Sequence, residues 1–166
     1  MNTGTKPIKR NESLVNLSRE HHFSLLFGWK IRQGLKNNTA PERIVPYVHY
    51  FWKNHILPHF KEEEEILFSP DSDSLVKRAK QEHAAIQQLI EKLSASSGIQ
   101  LAEDLRQLAA SLDKHIRFEE RELFPHLENI LMPGQLELIG KQLKEVSGPE
   151  KKDSYTDEFW NLKSSL

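Results

Sequence analysis

The chain has 166 residues and no cysteine, and its net charge is −1 with acidic and basic residues intermixed. This length suits a single domain that can bury a core. The lack of thiols excludes disulfides, cysteine zinc sites and thiol catalysis, and the balanced charge does not indicate a nucleic-acid partner. No apolar run reaches membrane length and the N-terminus lacks a signal-peptide pattern, so the sequence predicts a cytoplasmic protein without a membrane partner.

The first half of the chain predicts two long helices. Apolar residues recur there at helical spacing, and no alternating pattern predicts a strand. The first helix is predicted over about 12–36, with Asn11 as its N-cap and Leu25 among its inward residues. After a four-residue loop, Pro41 suits the first position of a second helix that ends near Phe68.

The second half repeats this arrangement and adds a shorter helix. Residues 69–73 break the chain before a third helix over about 74–93, and a turn precedes a fourth over about 101–130. Pro133 begins a fifth helix with Val146 on its inward side. Long helices joined by short loops predict an all-α fold, an up-down-up-down four-helix bundle with a short fifth C-terminal helix.

Three parts are expected along the chain. They are an N-terminal extension over 1–11, the bundle with its fifth helix over 12–148, and a polar C-terminal tail over 149–166. The tail is polar apart from Phe159 and Trp160, and the sequence leaves open whether it docks on the bundle or stays loose.

A ten-residue block occurs twice, at 59–68 and 115–124. Each copy has His first, a basic residue two later, Glu-Glu at the fifth and sixth places, and Leu-Phe at the end. A His and a Glu four residues apart lie on one face of a helix. A Glu-His step, meaning Glu followed directly by His, occurs at 20–21 and at 82–83, in each case on the predicted helix before a copy of the block. The chain is therefore predicted to contain two similar helical hairpins.

These repeated patterns predict a dinuclear metal site at the centre of the bundle, with the ligands His21, His59, Glu63, His83, His115 and Glu119. An ionised carboxylate on an inward seam costs several kcal/mol unless a cation compensates it, and two facing carboxylates repel each other. Two metal ions remove both penalties. Imidazole and carboxylate ligands without thiolate suit iron or manganese, while zinc is an alternative that usually prefers four ligands.

The ligand pattern resembles that of the hemerythrin-like (HHE cation-binding) domain over about residues 12–146, in the order His21, His59-x-x-x-Glu63, His83 and His115-x-x-x-Glu119. The resemblance implies a non-haem di-iron centre, with Glu63 and Glu119 as bridges and the four histidines as terminal ligands. Gln87 stands where oxygen-carrying hemerythrins have a fifth histidine, and their last carboxylate is an Asp one place later. The chain therefore resembles the four-His, two-Glu branch, which includes nitric-oxide-stress, cluster-repair and iron- or oxygen-sensing proteins.

Other histidines compete for places at the site. His21 lies on the inward seam and is favoured over His22, which is expected at the rim. His55 lies one turn before the second-helix ligand and is interpreted either as an extra ligand or as a pocket or surface residue. Pro58 removes an amide between them, so a kink is expected there. His126 is expected at the surface of a helix end.

Three functions are compatible with this pattern. The favoured one is a di-iron protein that binds or senses iron or a small diatomic ligand, O2 or NO. The second is a di-iron oxidoreductase acting on peroxide, O2 or NO, since six ligands leave two six-coordinate ions open positions. The third is an interaction module with a structural metal and with Phe159 and Trp160 as its contact.

Overall fold

The computed structural model describes residues 9–68, 72–148 and 151–162. These residues form five helices and no strand, which confirms the predicted all-α bundle. The bounds are α1 Val15–Lys36, α2 41–67, α3 Ser74–Lys92, α4 98–130 and α5 Pro133–Ser147, with short 3₁₀ turns at Glu12–Leu14 and Leu93–Ala95. Within the described part of the chain, none of the helices is both long and apolar enough to cross a bilayer.

Side chains and prolines set the helix ends. Asp73 caps α3, because its Oδ1 accepts hydrogen bonds from the Leu75 and Val76 amides at 2.9 and 3.2 Å. Pro41 stands at the start of α2 as predicted. Asn11 caps the 3₁₀ turn that precedes α1 and so reaches α1 only indirectly.

Both α2 and α4 contain wider π-helical turns. In α2 these are Trp52–Ile56, after Pro41–Phe51, and Glu63–Leu67, after Leu57–Glu62. The first ends two residues before Pro58. The kink expected at this proline therefore takes the form of a π turn, in which the Leu57 amide donates to the Trp52 carbonyl five residues back.

The π turn of α4 spans Glu119–Leu123, between Gly98–Phe118 and Phe124–Ile130. It begins at the glutamate of the second block, just as Glu63–Leu67 begins at the glutamate of the first. The repeat therefore extends to backbone geometry, and both carboxylates leave the helix where its pitch changes.

The bundle buries two apolar clusters, one toward each end. In α1, Leu17 belongs to one cluster and Phe27 to the other, and His21 lies between them. In α4, Leu112 and Leu123 likewise flank His115. The predicted ligand positions are thus the polar layer between two apolar ones.

Two residues predicted to point inward are exposed instead, Leu25 by 37% and Val146 by 63%. The buried seam of α1 continues from His21 through Ser24 and Gly28, which places Leu25 at the rim of the helix face. Val146 lies in the last turn of α5, beyond Leu143, the last buried residue of this helix.

The tail docks on the bundle over its described residues, 151–162. The Phe159 ring is fully buried and lies so close to Gly34 that a Cβ there would be 2.6 Å from a ring carbon. Asp153 accepts a hydrogen bond at 2.8 Å from the buried Lys30 ammonium, which also lies 4.2 Å from the centre of the Trp160 ring. The tail is therefore part of the packed structure.

Candidate metal centre

The structure brings the six predicted ligands together between the two apolar clusters. All are at most 5% exposed. They form two groups in which the possible ligand atoms lie within 4.8 Å of one another, His21–His59–Glu63–Glu119 and Glu63–His83–His115–Glu119. Both glutamates belong to both groups, whereas each pair of histidines belongs to only one group. This arrangement is the one expected of two adjacent cation positions.

The histidine Nε2 atoms all face the central carboxylates. His59 Nε2 lies 3.0 Å from Glu63 Oε1, and His115 Nε2 lies 2.6 Å from Glu119 Oε1. The other two complete the layer, with Nε2 of His21 at 3.1 Å and of His83 at 3.2 Å from Glu119 oxygens.

Although these distances are short, most of the central atoms are not aligned for a hydrogen bond. They comprise Nε2 of His21, His59 and His115, both carboxylate oxygens of Glu63, and Oε2 of Glu119. Buried polar atoms without partners are costly, and most native structures contain few. Imidazole nitrogens and carboxylate oxygens are suitable ligands for a transition-metal cation. The residues therefore fit a pair of cations.

Without a cation, protons compensate the buried carboxylates. Burial alone would lower the pKa of His83, but contacts with Glu119 and Glu63 raise it to about 11. Burial likewise opposes the charge of His115, yet Glu119 raises the pKa of this imidazole to about 9. Protons and metal therefore compete for the same Nε2 atoms.

Each of the four histidines is also held at its outer nitrogen by a glutamate that is not among the predicted ligands. The Nδ1-to-carboxylate distances are 2.5, 2.6, 3.0 and 3.0 Å for His59–Glu20, His21–Glu120, His83–Glu64 and His115–Glu82. A carboxylate accepting from Nδ1–H orients the ring, fixes its tautomer and leaves the Nε2 lone pair for a metal.

The repeat contained the signal for these outer glutamates. Glu20 and Glu82 are the first residues of the two Glu-His steps, and Glu64 and Glu120 are the second residues of the two Glu-Glu pairs. Glu20 and Glu82 hold histidines of their own hairpin, whereas Glu64 and Glu120 hold histidines of the other. The pseudo-twofold symmetry of the site therefore includes these outer glutamates.

A model of the hemerythrin HHE cation-binding domain matches residues 15–127, about two thirds of the chain. The chain belongs to the hemerythrin HHE cation-binding family. The buried histidine–glutamate cluster of this hemerythrin-like domain fits the cation binding that defines the family. Searches of curated proteins and of solved structures gave no significant match.

Aromatic rings close the hemerythrin-like centre above and below. The last phenylalanine of each block stacks on a histidine of the other hairpin, Phe68 on His83 at 5.8 Å and Phe124 on His21 at 5.4 Å between ring centres. Phe60 also lies parallel to His83 at 3.7 Å. These rings limit rotation of the His21 and His83 imidazoles and cover them from water.

The remaining histidines lie outside both groups. His22 is exposed, whereas its neighbour His21 is in the central layer. His55 is partly buried against the Phe51 ring, at 4.5 Å between ring centres, and its Nε2 atom has no hydrogen bond. His126 is partly buried and pairs with Asp73 at 2.6 Å.

One side of the centre opens to a cavity of about 460 Å³ between α1, α2 and the end of α5. His59 and its partner Glu20 are in the wall. Glu62 and His55 line the same space. Burial raises the pKa of Glu62 to about 7 and lowers that of His55.

Proposed function

We propose that this hemerythrin-like protein holds two non-haem iron ions and uses them to bind or sense a small diatomic molecule, O2 or NO. The terminal ligands would be the pairs His21–His59 and His83–His115, with Glu63 and Glu119 as bridges. The observation that carries the proposal is that both groups share the same two buried glutamates.

The ligand chemistry supports iron in this role. Nitrogen and oxygen ligands without thiolate suit iron or manganese better than a closed structural zinc site. Six protein ligands leave positions open on two six-coordinate ions. Bound iron would supply a reversible redox couple and a place for the diatomic molecule.

The chain's own residues have three tasks in this proposal. Glu63 and Glu119 keep two cations close together. The outer glutamates orient each imidazole through Nδ1. Phe60, Phe68 and Phe124 keep bulk water away, which strengthens electrostatic interactions inside the layer.

An oxidoreductase acting on peroxide, O2 or NO is the second candidate. The cavity favours it, because this space reaches His59 and gives a small molecule a route toward the centre. Turnover separates the two candidates. Steady-state consumption of peroxide or NO by the iron-loaded protein would favour the enzyme, and stoichiometric binding without turnover would favour the sensor.

The test of the metal centre is anaerobic iron loading, followed by metal analysis and by absorption spectra with O2, NO and peroxide. Wild-type protein should hold two irons per chain, and its visible spectrum should change on adding the diatomic ligand. The double variant Glu63→Gln/Glu119→Gln should lose most of the iron. Glu103→Gln, at an exposed ion pair with Arg106, is the control. Unchanged iron in the double variant, or one tightly bound zinc in the wild type, would refute the proposal.

A further inference from the structure

The two halves of the centre are covered differently. On the second hairpin's side, the buried Phe118 lies under the Arg78 guanidinium at 3.8 Å from the ring centre. Arg78 also donates to Glu82 at 2.8 Å, and Glu82 in turn holds His115. A packed aromatic ring and an ion pair therefore close this side.

The equivalent positions of the first hairpin carry different side chains. The repeated block aligns Glu62 with Phe118, and the Glu-His steps align Asn16 with Arg78. Both Glu62 and Asn16 line the cavity that reaches His59. The two departures from the repeat thus coincide with the opening on this side.

Glu62 has the properties of a group that lacks its partner. The residue is only 8% exposed, and within the described part of the chain its carboxylate has no hydrogen bond and no ion pair in direct contact; His59 and Lys151 act on its charge only from a distance. A buried ionised carboxylate costs several kcal/mol without a compensating cation. The Nε2 atom of His55, in the same cavity wall, is likewise buried without a hydrogen bond.

The basic residues of the cavity wall lie farther out. Arg19, Lys61 and Lys151 are all exposed, whereas Glu62 is buried. Solvent and salt screen exposed charges over about 8 Å at physiological ionic strength, and they screen buried charges much less. The inner cavity therefore presents a carboxylate and an imidazole nitrogen, and no basic group of its wall is buried beside them, which favours a cation over an anionic ligand.

We propose that this cavity is the entrance through which a hydrated divalent cation reaches the metal centre, with Glu62 as the carboxylate on which it docks and His55 as a second donor. The proposal rests on the metal centre proposed above. In the described residues, Glu62 and His55 belong to neither close-set ligand group. The ion therefore keeps its water shell while it contacts Glu62 and His55, and it then passes to the metal centre.

The test measures the rate of metal uptake separately from the final metal content. Metal-free protein is mixed anaerobically with Fe²⁺, samples are quenched with a chelator at intervals, and protein-bound iron is counted. Glu62→Gln keeps the shape of the side chain and removes its charge. It should reach the wild-type iron content but load about tenfold more slowly, because a charge lining a cleft raises association rates by about 10- to 1000-fold.

Three further variants sharpen the result. Glu62→Phe copies Phe118 of the other hairpin and should slow loading more than Glu62→Gln does, with circular dichroism confirming the helical fold. Lys151→Gln removes an exposed positive charge and should speed loading. Glu103→Gln, at an exposed pair elsewhere on the surface, should load at the wild-type rate.

The outcomes distinguish this proposal from the one on which it rests. Wild-type loading rates in both Glu62 variants would overturn the entrance and leave the metal centre intact. A lower final iron content in Glu62→Gln would also overturn it, because Glu62 would then hold the resident metal. If wild-type protein takes up no iron, the proposed metal centre itself fails.

Discussion

Glu64 shows how a residue that resembles an ordinary surface charge serves the site. Its carboxylate is 39% exposed, yet Oε1 lies 3.0 Å from Nδ1 of His83. Contact with this imidazole is the main cause that lowers the pKa of Glu64, so the carboxylate stays ionised around neutral pH. An ionised acceptor at Nδ1 raises the basicity of the imidazole as a metal ligand.

Replacing Glu64 by alanine should therefore weaken metal binding without removing a proposed ligand. Loss of such an outer partner typically costs about 10- to 100-fold in metal affinity. Competition against a chelator of known affinity would measure the change. Glu65→Ala, at the next and exposed position, should leave the equilibrium affinity unchanged. Equal affinities for both variants would show that Glu64 is only a surface charge.

The sequence predicted the six residues of the central layer, but it did not predict the four glutamates that hold the histidines from outside. His59 and Glu63 are one turn apart on one helix, so their spacing alone brings them together. Glu20 lies 39 residues before His59, and no local pattern links a polar-face glutamate to a histidine on another helix. Only the recurrence of Glu-His and Glu-Glu in both hairpins could have indicated these contacts.

Among the elements, the docked tail is the feature that the sequence left open. Its polar residues are typical of a loose segment, but Phe159 enters the core beside Gly34, where the missing Cβ gives the ring its space. Arg43 and Asp157 hold the tail from outside, with Nε to Oδ2 at 3.0 Å. A buried aromatic ring, together with this ion pair, therefore docks a segment whose composition is that of a loose tail.

Phe159→Ala should lower the free energy of unfolding by about 3 to 5 kcal/mol, as expected for removing a fully buried phenylalanine. Urea denaturation followed by circular dichroism would measure this change. Leu138→Ala on α5 is the control, since Leu138 is 57% exposed and surface substitutions usually change stability by less than about 0.5 kcal/mol. Equal losses in the two variants would mean that the tail does not contribute to the core.

The ends of the helices were largely predictable, and their interior pitch was not. Asp73 and Pro41 act locally, so their residue types are enough to predict a helix start. The π turns at Glu63–Leu67 and Glu119–Leu123 both begin at a glutamate of the central layer, which no local pattern marks as a change of pitch. The signals in the sequence were Pro58 and Pro125, each two residues after the end of a π turn.

For the whole molecule, metal and protons should stabilise the fold in opposite pH ranges. In the metal-free protein, the pKa values of His115 and His83 rise from 6.5 to about 9 and about 11. A raised folded-state pKa stabilises the fold fully below the unfolded value and loses this effect as the pH rises through the folded value. The metal-free protein should therefore become less stable from pH 7 to pH 10.

The metal-loaded protein should behave in the opposite way near neutrality, because its ligands must be deprotonated to bind metal. Chelation should lower the melting temperature, and the difference between loaded and metal-free protein should grow from pH 6 to pH 8. Differential scanning calorimetry at several pH values, with and without chelator, would test this. A difference that shrinks with rising pH would show that protons and metal do not share the buried imidazoles.

The sharing of Glu63 and Glu119 by both ligand groups has a consequence for a chain cut between its two hairpins. Each fragment would carry two histidines and one of the two shared glutamates, so neither could complete even one group alone. Glu64 and Glu120 also hold histidines of the opposite fragment. Metal should therefore tighten the reassembly of the two fragments beyond what the shared apolar clusters provide, and a chelator should weaken it.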